Sequence, residues 1–194
     1  MKTYLKITSF LFLSLLFFSC QKNIIETTVN EKYTQYFNAN IADQSLTIKG
    51  SIDKNRDIFS GSWTGIGYSD GIQKDMYTVK VIVPRKFLNT TIDAKLSFQV
   101  YDIKPGIYLL SDAKAYQKDF ANHIYLATNV GLDNSDFYTT NAQKDPFKIE
   151  ITKYEKPKDG SVPIVGGKIN GVLYNIKNLR DSIVVKDGVF EVRY

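Results

Sequence analysis

Alternating apolar and polar side chains constrain the fold of this chain more than any other feature of its sequence. Between residues 92 and 100 every even-numbered position is apolar, and the positions between them are polar. The same period of two recurs at residues 77–83 and 147–151, where the odd-numbered positions are apolar or aromatic. Successive side chains of a β-strand point to opposite faces of a sheet, so this pattern predicts strands with one buried face.

The pattern predicts an all-β domain of about nine to ten strands with less than about 15% helix. Residues 111–122 are compatible with a short helix or a loop. The strands follow one another too closely for crossover helices, which predicts a mainly antiparallel sheet. We expect a β-sandwich first and a small closed β-barrel second. The strand candidates are residues 35–41, 45–52, 59–68, 76–83, 91–101, 106–110, 123–130, 147–154, 167–176 and 181–194.

The carboxyl end carries the strongest hairpin signal. Asp187 and Gly188 separate two β-branched and aromatic runs, and Asp-Gly suits a type I′ turn with two positive φ angles. We therefore predict a hairpin of strands 181–186 and 189–194, with Phe190 and Val192 in the core. The alternating, aromatic end of the chain also resembles the last strand of outer-membrane barrels, but few of the predicted strands reach the 9 to 11 residues that such barrels need.

A lone cysteine follows an apolar run at the start of the chain. Residues 1–6 carry two lysines and no acid, and residues 7–18 are almost entirely apolar. Twelve residues are too few for a membrane-spanning helix, which needs about 20, but they suit a secretory leader. The run ends at Ser19-Cys20 and resembles a bacterial lipobox. We expect residues 1–19 to be a lipoprotein signal peptide and Cys20 to receive a diacylglyceryl group and a further acyl chain such as palmitate.

The remaining chain divides into a tether and a single domain. Residues 20–33 are polar after Cys20 and lack a period, which predicts a flexible tether of roughly 20 Å before a domain at residues 34–194. Removal of Lys2 and Lys6 with the leader leaves 23 basic against 20 acidic residues, a formal charge of +3. The lysines are scattered among acids, so we expect no nucleic-acid partner.

Few residues suit catalysis. His123 is the only histidine, so neither a histidine-based triad nor a multi-histidine metal site can form, and we expect His123 to be solvated or locally hydrogen-bonded. A carboxylate-pair hydrolase needs only two acids, but no pair stands out. The sequence predicts no enzyme, no catalytic residue and no cofactor.

Two further motifs suggest binding chemistry. Asp133, Asn134 and Asp136 offer calcium-type oxygen ligands without an EF-hand frame, and an Asx-rich turn explains them equally well, so we predict no metal site and leave calcium open. Trp63 and Tyr68 lie in a glycine-rich stretch at residues 60–71. If exposed, their rings form a platform for a sugar or peptide; otherwise Trp63 belongs to the core.

The carboxyl-terminal half resembles an uncharacterised β-sandwich lipoprotein family of Bacteroidota, a domain of unknown function. The resemblance covers residues 105–194 and rests on GIYLL, HIYLATN, the ITKY strand, a glycine-bearing strand and the final DSI…DGVF segment. It implies an exported β-sandwich and brings no catalytic residues with it.

Together these features predict a membrane-anchored envelope lipoprotein with a non-catalytic module that binds a glycan, peptide or partner protein. The alternative is a structural or accessory envelope lipoprotein without a small-molecule ligand. Gln21 after Cys20 resembles outer-membrane sorting, so we expect the outer membrane, with its periplasmic and outer surfaces both open.

Overall fold

A computed structural model describes residues 34–66, 71–110, 121–158 and 163–193. The predicted leader, the tether with Cys20, Tyr68 and most of the ambiguous segment 111–122 lie outside these ranges. The described part holds eleven strands and two one-turn helices. They are β1 (Thr34–Ile41), β2 (Gln44–Ser51), α1 (Ile52–Asn55), β3 (Phe59–Ile66), β4 (Lys74–Val83), α2 (Arg85–Leu88), β5 (Ala94–Tyr101), β6 (Gly106–Leu109), β7 (His123–Thr128), β8 (Asp136–Thr139), β9 (Lys148–Glu155), β10 (Ile164–Asn175) and β11 (Ser182–Val192).

The strands form one antiparallel sheet in the order β2-β1-β11-β10-β8-β7-β5-β4-β3. β10 has two neighbours on one side, because its first seven residues pair with β9 and its last two with β8. β9 in turn pairs with β6. The all-β, antiparallel prediction is confirmed, and the described helical residues are confined to α1 and α2.

The sheet curls so that its two outer regions meet across a shared core. The rings of Phe37 on β1 and Phe59 on β3 lie 5.8 Å apart, although six strands separate β1 from β3 in the sheet order. Gln35, which is fully buried, donates from Nε2 to the Phe59 carbonyl at 2.7 Å and accepts from the Arg193 backbone N–H at 3.4 Å. The result is a sandwich-like, half-barrel arrangement with one core between the two halves of the sheet.

The predicted inward faces form that core. Phe98 and Val100 on β5, Val81 on β4 and Ile149 on β9 are each at most 1% exposed. These positions alternate with more polar ones along their strands, so the period of two identified the buried side of each. Ile92, assigned to the same face as Phe98, instead precedes β5 and is 39% exposed.

The predicted hairpin at Asp187-Gly188 is wrong. Residues 182–192 form the single strand β11, which runs between β1 and β10. The register with β1 pairs Asn38 with Val189 and Asn40 with Lys186, so Asp187 and Gly188 together oppose one residue. This is a β-bulge, and the positive φ that suggested a turn occurs at Asp187, at 53°.

The bulge resets which positions face the core. Ile183 and Val185 are buried before it, and Phe190 and Val192 are buried after it. Odd-numbered positions therefore face inward on one side of the bulge and even-numbered positions on the other. The predicted burial of Phe190 and Val192 is confirmed, whereas the chain reversal is not. Strand β8 was not predicted, because its residues lie next to the Asx-rich segment that indicated a turn.

Candidate functional site

Loops between strands gather at one end of the curled sheet, which we call the distal end. It includes residues 42–43, 84–93, 129–135 and 176–181, where β1, β4, β7 and β10 end. β1 begins at the opposite end, at Thr34. The predicted tether therefore joins the domain at the end of β1 that is farther from these loops.

Hydrogen bonds hold the distal loops together. The Asn129 side-chain oxygen accepts the Thr91 backbone N–H at 2.8 Å. The Lys177 ammonium donates to the Ser135 carbonyl at 2.6 Å and pairs with Asp136 at 3.0 Å. Because these bonds join residues far apart in sequence, the loops support one another as a preformed surface.

A cleft of about 380 Å³ opens at the distal end, within the size range of small-molecule sites. The turn between β1 and β2 contributes one wall, and α2 with the residues after it contributes another. The start of β11 and the facing ends of β7 and β8 complete it. The polar and charged lining residues are Gln44, Lys86, Asn89, Thr90, Thr128, Tyr138 and Asp181, and the apolar ones are Ala42, Phe87, Leu88 and Ile183.

The Asp181 carboxylate is held in place by two donors. The Tyr138 hydroxyl donates to Asp181 Oδ2 at 2.8 Å, and Asn175 Nδ2 donates to the same oxygen at 3.0 Å. Tyr138 and Asn175 are both buried. Within the described part of the chain, Asp181 Oδ1 has no hydrogen-bond partner, so it is the acceptor that this carboxylate can offer to a ligand.

The backbone also positions Asp181. Its N–H donates to the Asn178 carbonyl at 2.9 Å, and its carbonyl accepts the Asn175 N–H at 3.0 Å. These bonds close the loop between β10 and β11. The carboxylate is therefore fixed through its main chain and one oxygen, which lowers the conformational entropy that this side chain would lose when a ligand binds.

Tyr138 is a donor over the whole physiological pH range. Burial, followed by the hydrogen bond and negative charge of Asp181, raises the pKa of Tyr138 to about 12. The phenol therefore keeps its proton and continues to donate to Asp181. Its role is to position the carboxylate.

The distal loops also expose apolar side chains. Of the nine large apolar residues that are exposed in the described ranges, five lie in these loops. They are Ile92, Val130, Leu132, Ile176 and Leu179, each between 39% and 55% exposed. Apolar side chains gathered at one end of a domain are typical of an interaction surface.

Trp63 lies near the other end of the sheet and is half-buried. Its ring packs against the core, and Lys156 Nζ lies 4.9 Å from the ring centroid. Lys156 also pairs with Asp75 at 3.3 Å. One face of the indole is therefore covered by a cation. The ring is neither fully buried in the core nor an open platform, so its position is intermediate between the two predictions. Tyr68 lies outside the described residues, so the shared platform stays a prediction.

A neighbouring tyrosine stabilises the Lys156–Asp75 pair. The Tyr154 hydroxyl donates to Asp75. Burial, together with the hydrogen bond to Asp75 and its charge, raises the pKa of Tyr154. Tyr154, Lys156 and Asp75 are thus paired with one another, and this geometry suits a link between β9 and β4.

The remaining candidates have local partners. His123 is 7% exposed, its Nδ1 lies 3.2 Å from the Ala121 carbonyl oxygen, and burial lowers its pKa. Asp136 pairs with Lys177, Asp133 is exposed, and the Asn134 carbonyl accepts from Asn129. In the described ranges no group of three or more His, Cys, Asp or Glu side chains is placed to hold a metal ion. No described helix is long and apolar enough to cross a membrane.

Sequence reasoning missed the distal cleft. Asp181 appeared only as part of the DSI segment that marked a fold, and Gln44, Tyr138 and Asn175 carried no pattern. These residues meet through the register of β8, β10 and β11. Asn178 and Asp181 are the local feature that could have indicated the site, because both are turn-forming residue types just before the last strand.

A family model described as a domain of unknown function, DUF5025, matches residues 34–193. The chain therefore belongs to this family. Comparisons with curated proteins and with solved structures found no match.

Proposed function

We propose that this member of the DUF5025 family is a lipid-anchored envelope lipoprotein of Bacteroidota whose distal cleft binds a glycan, a peptide or a partner protein without catalysis. The leader, the lipobox-like Ser19-Cys20 and the polar tether support the anchor. Two or more acyl chains hold a protein on a membrane stably, whereas one does so marginally. Gln21 supports the outer membrane as the site of anchoring.

The position of the cleft relative to the tether is the observation that supports binding most directly. β1 spans eight residues from Thr34 to Ile41, or roughly 25 Å at the usual rise of a strand. The cleft begins just beyond its far end, at Ala42 and Gln44. A domain tethered at Thr34 can thus present the cleft away from the lipid surface, where a ligand can reach it.

The lining favours binding over catalysis. Asp181 is the one carboxylate among the residues that line the cleft, while hydrolysis of a glycosidic bond by the usual mechanism needs two. The second charged residue there, Lys86, lies 5.8 Å from the Phe87 ring centroid. A single fixed carboxylate with amide and hydroxyl neighbours suits recognition.

Metabolic labelling tests the anchor. Cells that express the full chain are grown with an alkyne analogue of palmitate, and the labelled protein is followed through membrane fractionation. We expect label and membrane association for the native chain and neither for Cys20→Ala, with Ser19→Ala as the matched control that keeps both. Equal labelling of the Cys20→Ala chain would contradict the anchor.

Ligand titration tests the cleft. The full chain, purified from membranes in detergent, is titrated with one panel of oligosaccharides and one panel of short peptides. We expect saturable binding to members of at least one panel, weakened by Asp181→Ala and unchanged by Trp63→Ala. Binding that Trp63→Ala abolishes and Asp181→Ala leaves intact would move the site to the tether end. No binding to either panel would favour a structural lipoprotein.

A further inference from the structure

We propose that the distal cleft binds a neutral saccharide, with Asp181 Oδ1 accepting a hydrogen bond from a ring hydroxyl. This inference rests on the proposed function and names the ligand class for the same site. It follows from the kind of hydrogen-bonding atoms that the cleft offers, from the charge of its lining and from its size.

Several side chains of the lining keep acceptor atoms for a ligand. The Thr90 hydroxyl already donates to the Ile92 carbonyl at 2.8 Å, and the Thr128 hydroxyl donates to the Asp136 carbonyl at 3.4 Å. A hydroxyl has one proton, so both oxygens keep only accepting capacity.

Gln44 contributes both kinds of atom, an amide oxygen that accepts and an amide nitrogen with two N–H groups. Its Nε2 donates to the Phe87 carbonyl at 3.3 Å. With Asp181 Oδ1, the cleft therefore offers an acceptor on each of four side chains, beside the N–H donors of Lys86 and Asn89. Hydroxyl groups, which both donate and accept, match this mixture.

The charge of the lining favours a ligand without net charge. Asp181 and Lys86 are its only ionised side chains, and their charges cancel. A cationic donor such as an ammonium or guanidinium would be attracted by Asp181 and repelled by Lys86, and an anion would meet the reverse. Neutral hydroxyl groups provide donors without this penalty, and a saccharide carries several of them on one rigid ring.

Apolar side chains complete the match. Phe87 and Leu88 are partly buried against the core, and both line the cleft together with Ile183. The C–H face of a sugar ring is apolar, and an aromatic or aliphatic surface is its usual contact, while the hydroxyl rim points to polar groups. The cleft volume of about 380 Å³ lies at the small end of ligand sites, as expected for a short saccharide.

Saturation-transfer NMR tests the inference. The full chain, purified in detergent, is mixed with neutral hexoses, N-acetylhexosamines and their disaccharides, and separately with uronic acids and with short peptides. We expect saturation transfer to at least one neutral saccharide, displaced competitively by an excess of the same sugar. We expect weaker transfer to its uronic acid counterpart.

Asp181→Asn is the decisive variant. An asparagine can still accept from Tyr138 and Asn175 through Oδ1, while its amide replaces the open acceptor with a donor. We expect the dissociation constant for the best saccharide to rise about tenfold or more, as for the loss of a hydrogen bond to a charged group. Asp133→Asn removes an exposed carboxylate of the distal loops that does not line the cleft, and we expect no change.

The outcomes separate this inference from the proposed function. Saccharide binding that Asp181→Asn weakens and Asp133→Asn preserves supports both. Binding of peptides alone, or of uronic acids in preference to neutral sugars, overturns the saccharide inference and leaves a binding module. Saccharide binding that is equal in both variants overturns the role of Asp181. Absence of binding to every panel overturns the saccharide inference and leaves the cleft without the glycan or peptide ligand of the proposed function.

Discussion

The rings of Phe98 on β5 and Phe190 on β11 meet edge to face, with centroids 5.2 Å apart and planes inclined by 62°. Four steps in the sheet order separate the two strands, so this contact joins the opposing halves of the curled sheet. Both rings are 1% exposed. A substitution at this pair therefore tests how strongly the two halves pack against each other.

Truncation of Phe190 should destabilise the domain strongly. Phe190→Ala removes a buried ring and its contact with Phe98, and we expect a loss of about 3–5 kcal/mol. Ile107→Ala is the matched control, because Ile107 is 73% exposed and its loss should change stability by less than about 0.5 kcal/mol. Urea unfolding followed by circular dichroism measures both. Equal midpoints for the two variants would contradict the packing of β11.

The bulge in β11 predicts opposite responses at two adjacent residues. A Cβ at Gly188 would collide with Ile169 Cγ1 and lie 2.8 Å from the Ile169 carbonyl oxygen, so Gly188→Ala should cost about 1–3 kcal/mol. Asp187→Gly replaces a residue at φ 53° with the one that adopts this region freely, and stability should hold or rise. Chemical unfolding compares the two. Equal stability of the Gly188→Ala and Asp187→Gly proteins would contradict the bulge.

This bulge also shows what the sequence could predict about the fold. The alternation in residues 92–100 and 147–151 depends on local periodicity, and it identified the buried faces of β5 and β9 correctly but failed at Ile92, which precedes β5. Asp187-Gly188 indicated positive φ, which occurs at Asp187, but a bulge and a turn share that requirement. The partner strands decide between a bulge and a turn. β1 and β10 both continue past Asp187-Gly188, so these residues form a bulge.

The candidate site was harder to predict for the same reason. Asp181 and its donor Tyr138 are 43 residues apart, and they meet because β8 pairs with the end of β10. Trp63 stood out by residue type, yet Lys156 covers one face of its ring through a contact that spans 93 positions in the chain. Residue types thus suggested one site, while the long-range register of the sheet assembled another.

The buried side chain of Gln35 should be essential for closing the curled sheet. It satisfies the Phe59 carbonyl and the Arg193 N–H, and Gln35→Leu would leave both without this partner at about 1–3 kcal/mol for each buried group. Gln143→Leu is the control at an exposed glutamine and should have little effect. Thermal unfolding measures both variants. A Gln35→Leu protein as stable as Gln143→Leu would show that the two ends of the sheet hold without this bridge.

Acid should weaken the domain through Glu191. Burial alone would raise the pKa of this carboxyl, but hydrogen bonds from Lys153 and Arg193 and their charges outweigh burial and hold the pKa below the ordinary 4.5. The folded state then binds fewer protons than the unfolded state, so the stability that Glu191 contributes is complete above the ordinary pKa and is lost as the pH falls.

The free energy of unfolding should decrease less between about pH 6 and pH 3 in Glu191→Gln than in the native chain. Glu150→Gln, at a more exposed pair with Lys168, should behave like the native chain. Parallel curves for native and Glu191→Gln proteins would contradict the assignment.

Removal of one hydroxyl should reveal how Asp181 is positioned. Tyr138→Phe keeps the ring but deletes the donor that lies 2.8 Å from Asp181 Oδ2, and a hydrogen bond to a charged group contributes about 1.5–3 kcal/mol. We expect unfolding at lower urea concentration. We also expect weaker ligand binding, because Asn175 alone then holds the carboxylate. Tyr174→Phe is the matched control: the Tyr174 hydroxyl has no hydrogen-bond partner among the described residues, and its ring keeps Lys144 at 4.9 Å. If the two variants unfold at the same urea concentration and bind equally well, the Tyr138–Asp181 bond positions nothing that the cleft uses.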